Sequence, residues 1–156
     1  MSATDAVTAA RAVFPALTVS TPAGAHPLIA VMVAIAGAES GWDPRCAGDP
    51  GLPGPHCDGL AHGRPVPAAT SWGLWQIHNV HGDYLRGQTA AADACDWAEW
   101  LYDPLHNALA ALHVLGADPA GGLRNWSTWG GRLAPWPAGR GPYRSFLASA
   151  LTACRL

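Results

Sequence analysis

Pro27-Leu28-Ile29-Ala30-Val31-Met32-Val33-Ala34-Ile35-Ala36-Gly37-Ala38 runs directly into Glu39-Ser40-Gly41-Trp42, and this junction governs the reading of the whole chain. Twelve consecutive residues carry no polar side chain, too few for a bilayer-spanning helix, which needs about 20. The Ile and Val content also suits a buried strand, but the length favours a helix. Apolar on every side, such a helix belongs at the centre of a domain, with Pro27 suited to its first turn. Glu39 then falls where the helix stops.

The chain contains only two glutamates, Glu39 and Glu99. Glu99, in Asp96-Trp97-Ala98-Glu99-Trp100, reads as a solvated charge on a half-exposed helix. For Glu39 two influences act together: apolar neighbours disfavour the ionised form, and so does the negative end of a helix dipole. A carboxyl kept protonated near neutral pH can hand its proton to a leaving oxygen, as cleavage of a glycosidic bond requires. The plainer alternative is a helix-end glutamate turned to water.

Outward from this junction, residues 1–24 read as a short helix and lead-in, with the helix over Ala6 to Phe14 following Thr4. Residues 42–71 hold eleven Gly or Pro and read as a long loop. Trp72 to Ile77 is short and apolar, extended or turn-like. Thr89 to Leu101 reads as a helix with Thr89 as its cap. Pro104 to Leu115 is the clearest helix: Asp103 can cap it, Pro104 suits its first position and Gly116 can end it. Leu105, Ala108, Leu109 and Leu112 share one face of it. A Trp- and Gly-rich loop over 121–141 precedes a last helix opened by Pro142, with Phe146, Leu147, Ala150, Leu151 and Cys154 facing inward. No internal repeat is present. The fold class is mainly α, with at most a small β region.

The length of 156 residues suits a single domain over 1–156, and 49% apolar residues suffice for a core. The net charge of −2 argues against a nucleic-acid partner and against simple electrostatic capture by an anionic surface. All nine basic residues are Arg, which reads as coding bias. No standard signal peptide and no membrane span is expected. Four cysteines permit three pairings. Pairing Cys46 with Cys57 would close a short ring, and Cys95 with Cys154 would tie the last helix to mid-chain. Four reduced thiols are the alternative.

Ala38-Glu39-Ser40 followed by Gly73-Leu74-Trp75-Gln76-Ile77 resembles the signature of SLT-type lytic transglycosylases and goose-type-like lysozymes. Asp103-Pro104 with Asn107 resembles the family's next helix. Trp126-Ser127-Thr128-Trp129 and Gly141-Pro142-Tyr143-Arg144-Ser145-Phe146-Leu147 resemble the closing segment of versions from actinobacteria and their phages. The ordered likeness spans roughly residues 28–147. Two departures stand out, a long Cys46–Pro67 excursion and a Leu133–Arg140 insertion.

The resemblance implies a lysozyme-like α+β fold with a cleft, acting at the bacterial cell wall on the peptidoglycan glycan strand. Glu39 would be the acid and Ser40 its neighbour. Gln76 would bond an N-acetyl group or the acid itself. Single-acid chemistry, in which the substrate's own hydroxyl attacks, is the family's usual course. A hydrolytic muramidase would add a second carboxylate. Among Asp43, Asp49 and Asp58, the first and second read as local turns before proline, leaving Asp58. Trp75, Trp126, Trp129 and Tyr143 are the expected sugar-contacting rings, with core filling as the competing role. No cofactor or metal is expected, although His78, His81 and Asp83, or His56, Asp58 and His62, invite a zinc reading whose spacings match no common motif. A non-catalytic wall-binding or virion structural module is the third class. The expected state is a monomer.

Overall fold

The computed structural model describes residues 2–49, 57, 60–61, 64–65, 69–90, 93–130 and 135–155. The chain opens with α1, Ala3–Val13. It begins three residues before the expected Ala6, because Ser2 rather than Thr4 caps it: the Ser2 N–H donates to Asp5 Oδ2 at 2.9 Å. A hairpin of β1 (Thr18–Thr21) and β2 (Gly24–Pro27) then delivers the chain into α2, Leu28–Ser40. Pro27 stands just outside that helix, as its N-cap residue.

Helix α2 is the axis of the core. Residues 30–36 are fully buried, and α1 and α7 (Arg144–Ala153) pack against it. Gly37 permits the approach of α7: a Cβ there would lie 2.6 Å from the Phe146 ring and 2.8 Å from Trp42. Gly41, at φ +63°, takes the left-handed conformation that ends α2, its N–H reaching Gly37 O at 2.9 Å. The helix therefore stops one residue beyond Glu39, at Ser40.

The stretch expected as a long loop carries short strands among its described residues. Ala47–Gly48 (β3), Ser71–Trp72 (β6) and Ile77–His78 (β7) form one antiparallel sheet in the order β3-β6-β7, and Leu60–Ala61 (β4) pairs with Arg64–Pro65 (β5). The Trp72–Ile77 reading as extended or turn-like holds.

Residues 82–101 depart from expectation. Instead of one helix capped by Thr89, there are two, α3 (Gly82–Thr89) and α4 (Ala94–Leu101). Thr89 closes α3, its hydroxyl donating back to Leu85 O, and Ala90 at φ +55° turns the chain away. Asp93 starts α4 by accepting from the Cys95 N–H at 2.6 Å. Helix α5, Pro104–Leu115, matches its expected limits, with Asp103 Oδ1 accepting from Leu105 N at 2.9 Å and His106 N at 3.0 Å. Its buried face is Asn107, Ala108, Ala110, Ala111 and Leu115, while Leu105 and Leu109 are 45% and 39% exposed. Alanines let α5 approach α1 closely, and Asn107 is drawn inward by main-chain partners. A short helix α6 (Pro119–Gly122) precedes the Trp-rich loop, and α7 buries Leu147, Ala150 and Ala153 with Phe146, Leu151 and Cys154 half-buried beside them.

The cysteine pairing also differs. Cys57 bonds Cys95, 38 residues on, so neither expected pair forms. The β-bridge of Cys57 with Ala69 sets Cys57 beside the sheet, near the start of α4, where Cys95 lies. Cys46 and Cys154 are free and half-buried.

Candidate active site

Glu39 occupies the last turn of α2 and opens into a cleft of about 530 Å³. Burial pushes its carboxyl above the usual glutamate range, and the negative charge of Asp49 adds to the push. Hydrogen bonds from Thr128 pull the other way without overcoming burial. The Thr128 hydroxyl donates to Glu39 Oε1 at 2.5 Å, across 89 positions of sequence. The acid is thus held on one oxygen, with burial biasing its carboxyl toward the protonated form that can give a proton away.

The cleft floor is the turn joining β6 to β7. Gly73 stands at φ +82°, where a Cβ would lie 2.0 Å from Asn107 Nδ2, so only glycine fits. Asn107, completely buried on α5, binds three main-chain groups: Oδ1 accepts from Trp75 N at 2.9 Å, and Nδ2 donates to Trp72 O and Leu101 O, each at 3.0 Å. Gln76, at φ +48°, donates through Nε2 to Cys46 O at 3.1 Å and Gly73 O at 2.9 Å. Gly48 leaves room for its Oε1, which a Cβ there would meet at 2.4 Å.

Indole N–H groups bolt the walls together. Trp75 donates to Met32 O at 2.8 Å, Trp126 to Trp75 O at 2.8 Å, and Trp42 to Val33 O at 2.9 Å. Two of these bonds end on the main chain of α2, and the third links the floor to the wall that carries Thr128. Asp49 faces the same cleft, at φ +54°, accepting from the Ser71 hydroxyl on its carboxylate and from Thr70 Oγ1 on its carbonyl at 3.0 Å.

An acid at the end of a buried helix, a glutamine-bearing turn as floor and a threonine closing on the acid form one constellation. Residues 17–129, most of the chain, match the sequence profile described as a lysozyme-like domain. The chain belongs to that family. No curated protein sequence and no solved structure gave a match. The lysozyme-like domain is accordingly a peptidoglycan-acting glycosidase, an enzyme of lytic transglycosylase or lysozyme type. No helix among the described residues is long and apolar enough to cross a membrane.

The lysozyme-like domain brings Glu39 and Gln76 to one cleft, joined there by Trp126. Gln76 differs from expectation in its partners. Both of its N–H donors go to carbonyls of the floor, leaving Oε1 as the atom open to a ligand. Ser40 is buried, its hydroxyl donating to Ala36 O at 2.8 Å, so it finishes α2 rather than meeting substrate. Trp75, Trp126, Trp129 and Tyr143 are at most 5% exposed and offer no open ring face, so their sugar-stacking role is withdrawn; Trp126 borders the cleft but is fastened to its floor. Trp129 and Tyr143 pack on each other at 4.7 Å, and the Tyr143 hydroxyl donates to Gly139 O at 3.1 Å. Asp58, with His56 and His62, lies outside the described residues.

Two site residues were passed over in the sequence. Thr128 sat inside the quoted Trp126–Trp129 motif, masked by the tryptophans beside it. Asp49 read as a turn residue before Pro50; the structure places it just after β3 with a left-handed backbone, lining the cleft. Glu99 is 70% exposed and 3.5 Å from Arg45, the solvated charge expected. Among the described residues no three His, Cys, Asp or Glu side chains gather to hold a metal.

Proposed function

We propose that the domain cleaves the β-1,4 bond between N-acetylmuramic acid and N-acetylglucosamine by lytic transglycosylation, with Glu39 as general acid and then general base. The observation that carries this reading is the placement of Glu39, half-buried in a cleft of about 530 Å³ and fastened by Thr128, where burial pushes its pKa up. Glu39 protonates the glycosidic oxygen as the bond to C1 of the muramyl residue breaks. The 6-hydroxyl of that residue then bonds C1 and gives its proton to Glu39. The acid is regenerated and an anhydro end is left. The protein would act as a monomer at the bacterial wall, a setting shared by phage endolysins and virion-borne enzymes.

The experiment is digestion of purified cell walls by the wild type and by Glu39→Gln, with mass spectrometry of the soluble fragments. Anhydro-muramic ends from the wild type and no fragments from the variant are expected. Equal lysis by the variant would refute the proposal.

Hydrolysis is the second reading, favoured by Asp49. A carboxylate in the same cleft, braced by Ser71, can position water or attack C1. It takes the part expected of Asp58. Reducing ends as the sole products, lost in Asp49→Asn, would select this reading.

A further inference from the structure

A second pocket, of about 450 Å³, shares no lining residue with the Glu39 cleft; Ala23, Trp136, Arg140, Pro142, Arg144 and Ser145 line it. Its chemistry is unlike the rest of the surface. Trp136 is 47% exposed, and the other seven tryptophans are buried or half-buried. An indole left open to water forgoes the burial that places this residue type inside proteins. Two of the chain's nine arginines stand beside it, and no carboxylate lines the pocket. Neither guanidinium has a hydrogen-bond or ion-pair partner among the described residues. In a chain of net charge −2, this is a local positive site rather than the edge of a basic face.

The main chain behind the pocket is tied down. Gly141 N–H donates to Trp129 O and Tyr143 N–H to Thr128 O, each at 3.1 Å. Gly141 lies so close to that segment that a Cβ would fall 2.1 Å from Thr128 O, and one on Gly139 would meet Pro22 at 2.6 Å. The main chain of the turn carrying the two arginines is therefore held before a ligand arrives.

We propose that this pocket is a second carbohydrate-binding site, taking a pyranose that bears a carboxylate. The apolar face of the ring lies on Trp136, and Arg140 and Arg144 hold the acid, with the Ser145 hydroxyl as a further donor. Charge-assisted bonds from guanidinium to carboxylate supply the selectivity, and the indole supplies a flat apolar surface. The choice of a sugar rests on the wall-glycan reading of the Glu39 cleft; the positive, aromatic character of the pocket does not.

The test follows the indole N–H resonance of Trp136, assigned with Trp136→Phe, as the intact protein is titrated with N-acetylmuramic acid, N-acetylglucosamine or inorganic phosphate. The two sugars differ by one carboxylate-bearing group. A saturable shift with the acidic sugar is expected, with affinity roughly tenfold weaker for the neutral one. Binding should weaken as sodium chloride is raised in the unaltered protein, and vanish in Arg140→Gln/Arg144→Gln. Equal response to the neutral sugar, a response to phosphate matching that to the acidic sugar, indifference to salt, or binding retained in the double variant overturns the proposal. Glu39→Gln should keep the Trp136 response while losing lysis, so a failure at one site is told apart from a failure at the other.

Discussion

At the scale of single residues, the protein's chemistry depends on opposing influences at Glu39. Burial raises its pKa, Asp49 adds to the rise, and Thr128 lowers it. Because the folded state prefers the proton, the group's contribution to stability is full below the ordinary glutamate range. It is lost as pH rises through the elevated folded value. Glu39→Gln should therefore melt a few degrees higher than the wild type at pH 8 and at the same temperature at pH 4. Equal melting temperatures at both would mean the carboxyl is not raised. Activity requiring protonated Glu39 should decline on the alkaline side, and two variants should move that limb in opposite directions. Thr128→Val removes a bond that favours the ionised form, so the limb moves to higher pH, with kcat/KM down roughly tenfold for the lost contact. Asp49→Asn removes a repelling charge, so the limb moves to lower pH, and by less, since Asp49 is the weaker influence. A pH–rate profile unchanged in both would detach these residues from the acid.

At the scale of elements, the floor turn is held from below by one side chain. Asn107 binds Trp72 O and Trp75 N on either side of the turn and joins them to the end of α4 through Leu101 O. Asn107→Leu should cost about 3 kcal/mol, because buried main-chain groups lose their partners while volume is kept. Urea denaturation measures this, and a loss under ~0.5 kcal/mol would show that the turn holds itself. The helices were unevenly legible. Helix α5 was readable at both ends because Asp103, Pro104 and Gly116 are local signals. The break between α3 and α4 was not, since Thr89 suits the end of one helix as well as the start of another. The buried face of α5 was hidden for a related reason: Leu105 and Leu109 outrank alanine in hydrophobicity, but close contact with α1 selects the alanines.

At the scale of the molecule, the Cys57–Cys95 bond closes a span of 38 residues between the sheet region and α4. Restricting the unfolded chain over that span stabilises the fold by roughly 3–4 kcal/mol. Replacing both cysteines by alanine should lower the melting temperature measurably, while replacing Cys46 or Cys154 should not reproduce the drop. A drop equal in all these variants would argue against this pairing. Thr128 links the two pockets without lining either: its hydroxyl serves Glu39 and its carbonyl accepts from the Tyr143 N–H, in the turn between Arg140 and Arg144.

The amino-acid order alone determined the central apolar helix, the acid at its end, the mainly α class and the glutamine-bearing turn, because hydrophobic runs, caps and short motifs act over a few residues. Folding alone decided which oxygen atoms meet. Thr128 reaches Glu39 across 89 positions, Asp49 and Ser71 are 22 apart, and Cys57 finds Cys95 rather than Cys46. The tryptophans belong to the same category: their number is compatible with a sugar platform or a core. Only the main-chain carbonyls awaiting Trp42, Trp75 and Trp126 settle that those three serve as bolts, leaving Trp136 at the surface. Such contacts depend on where distant backbone segments come to rest, and no local pattern encodes that.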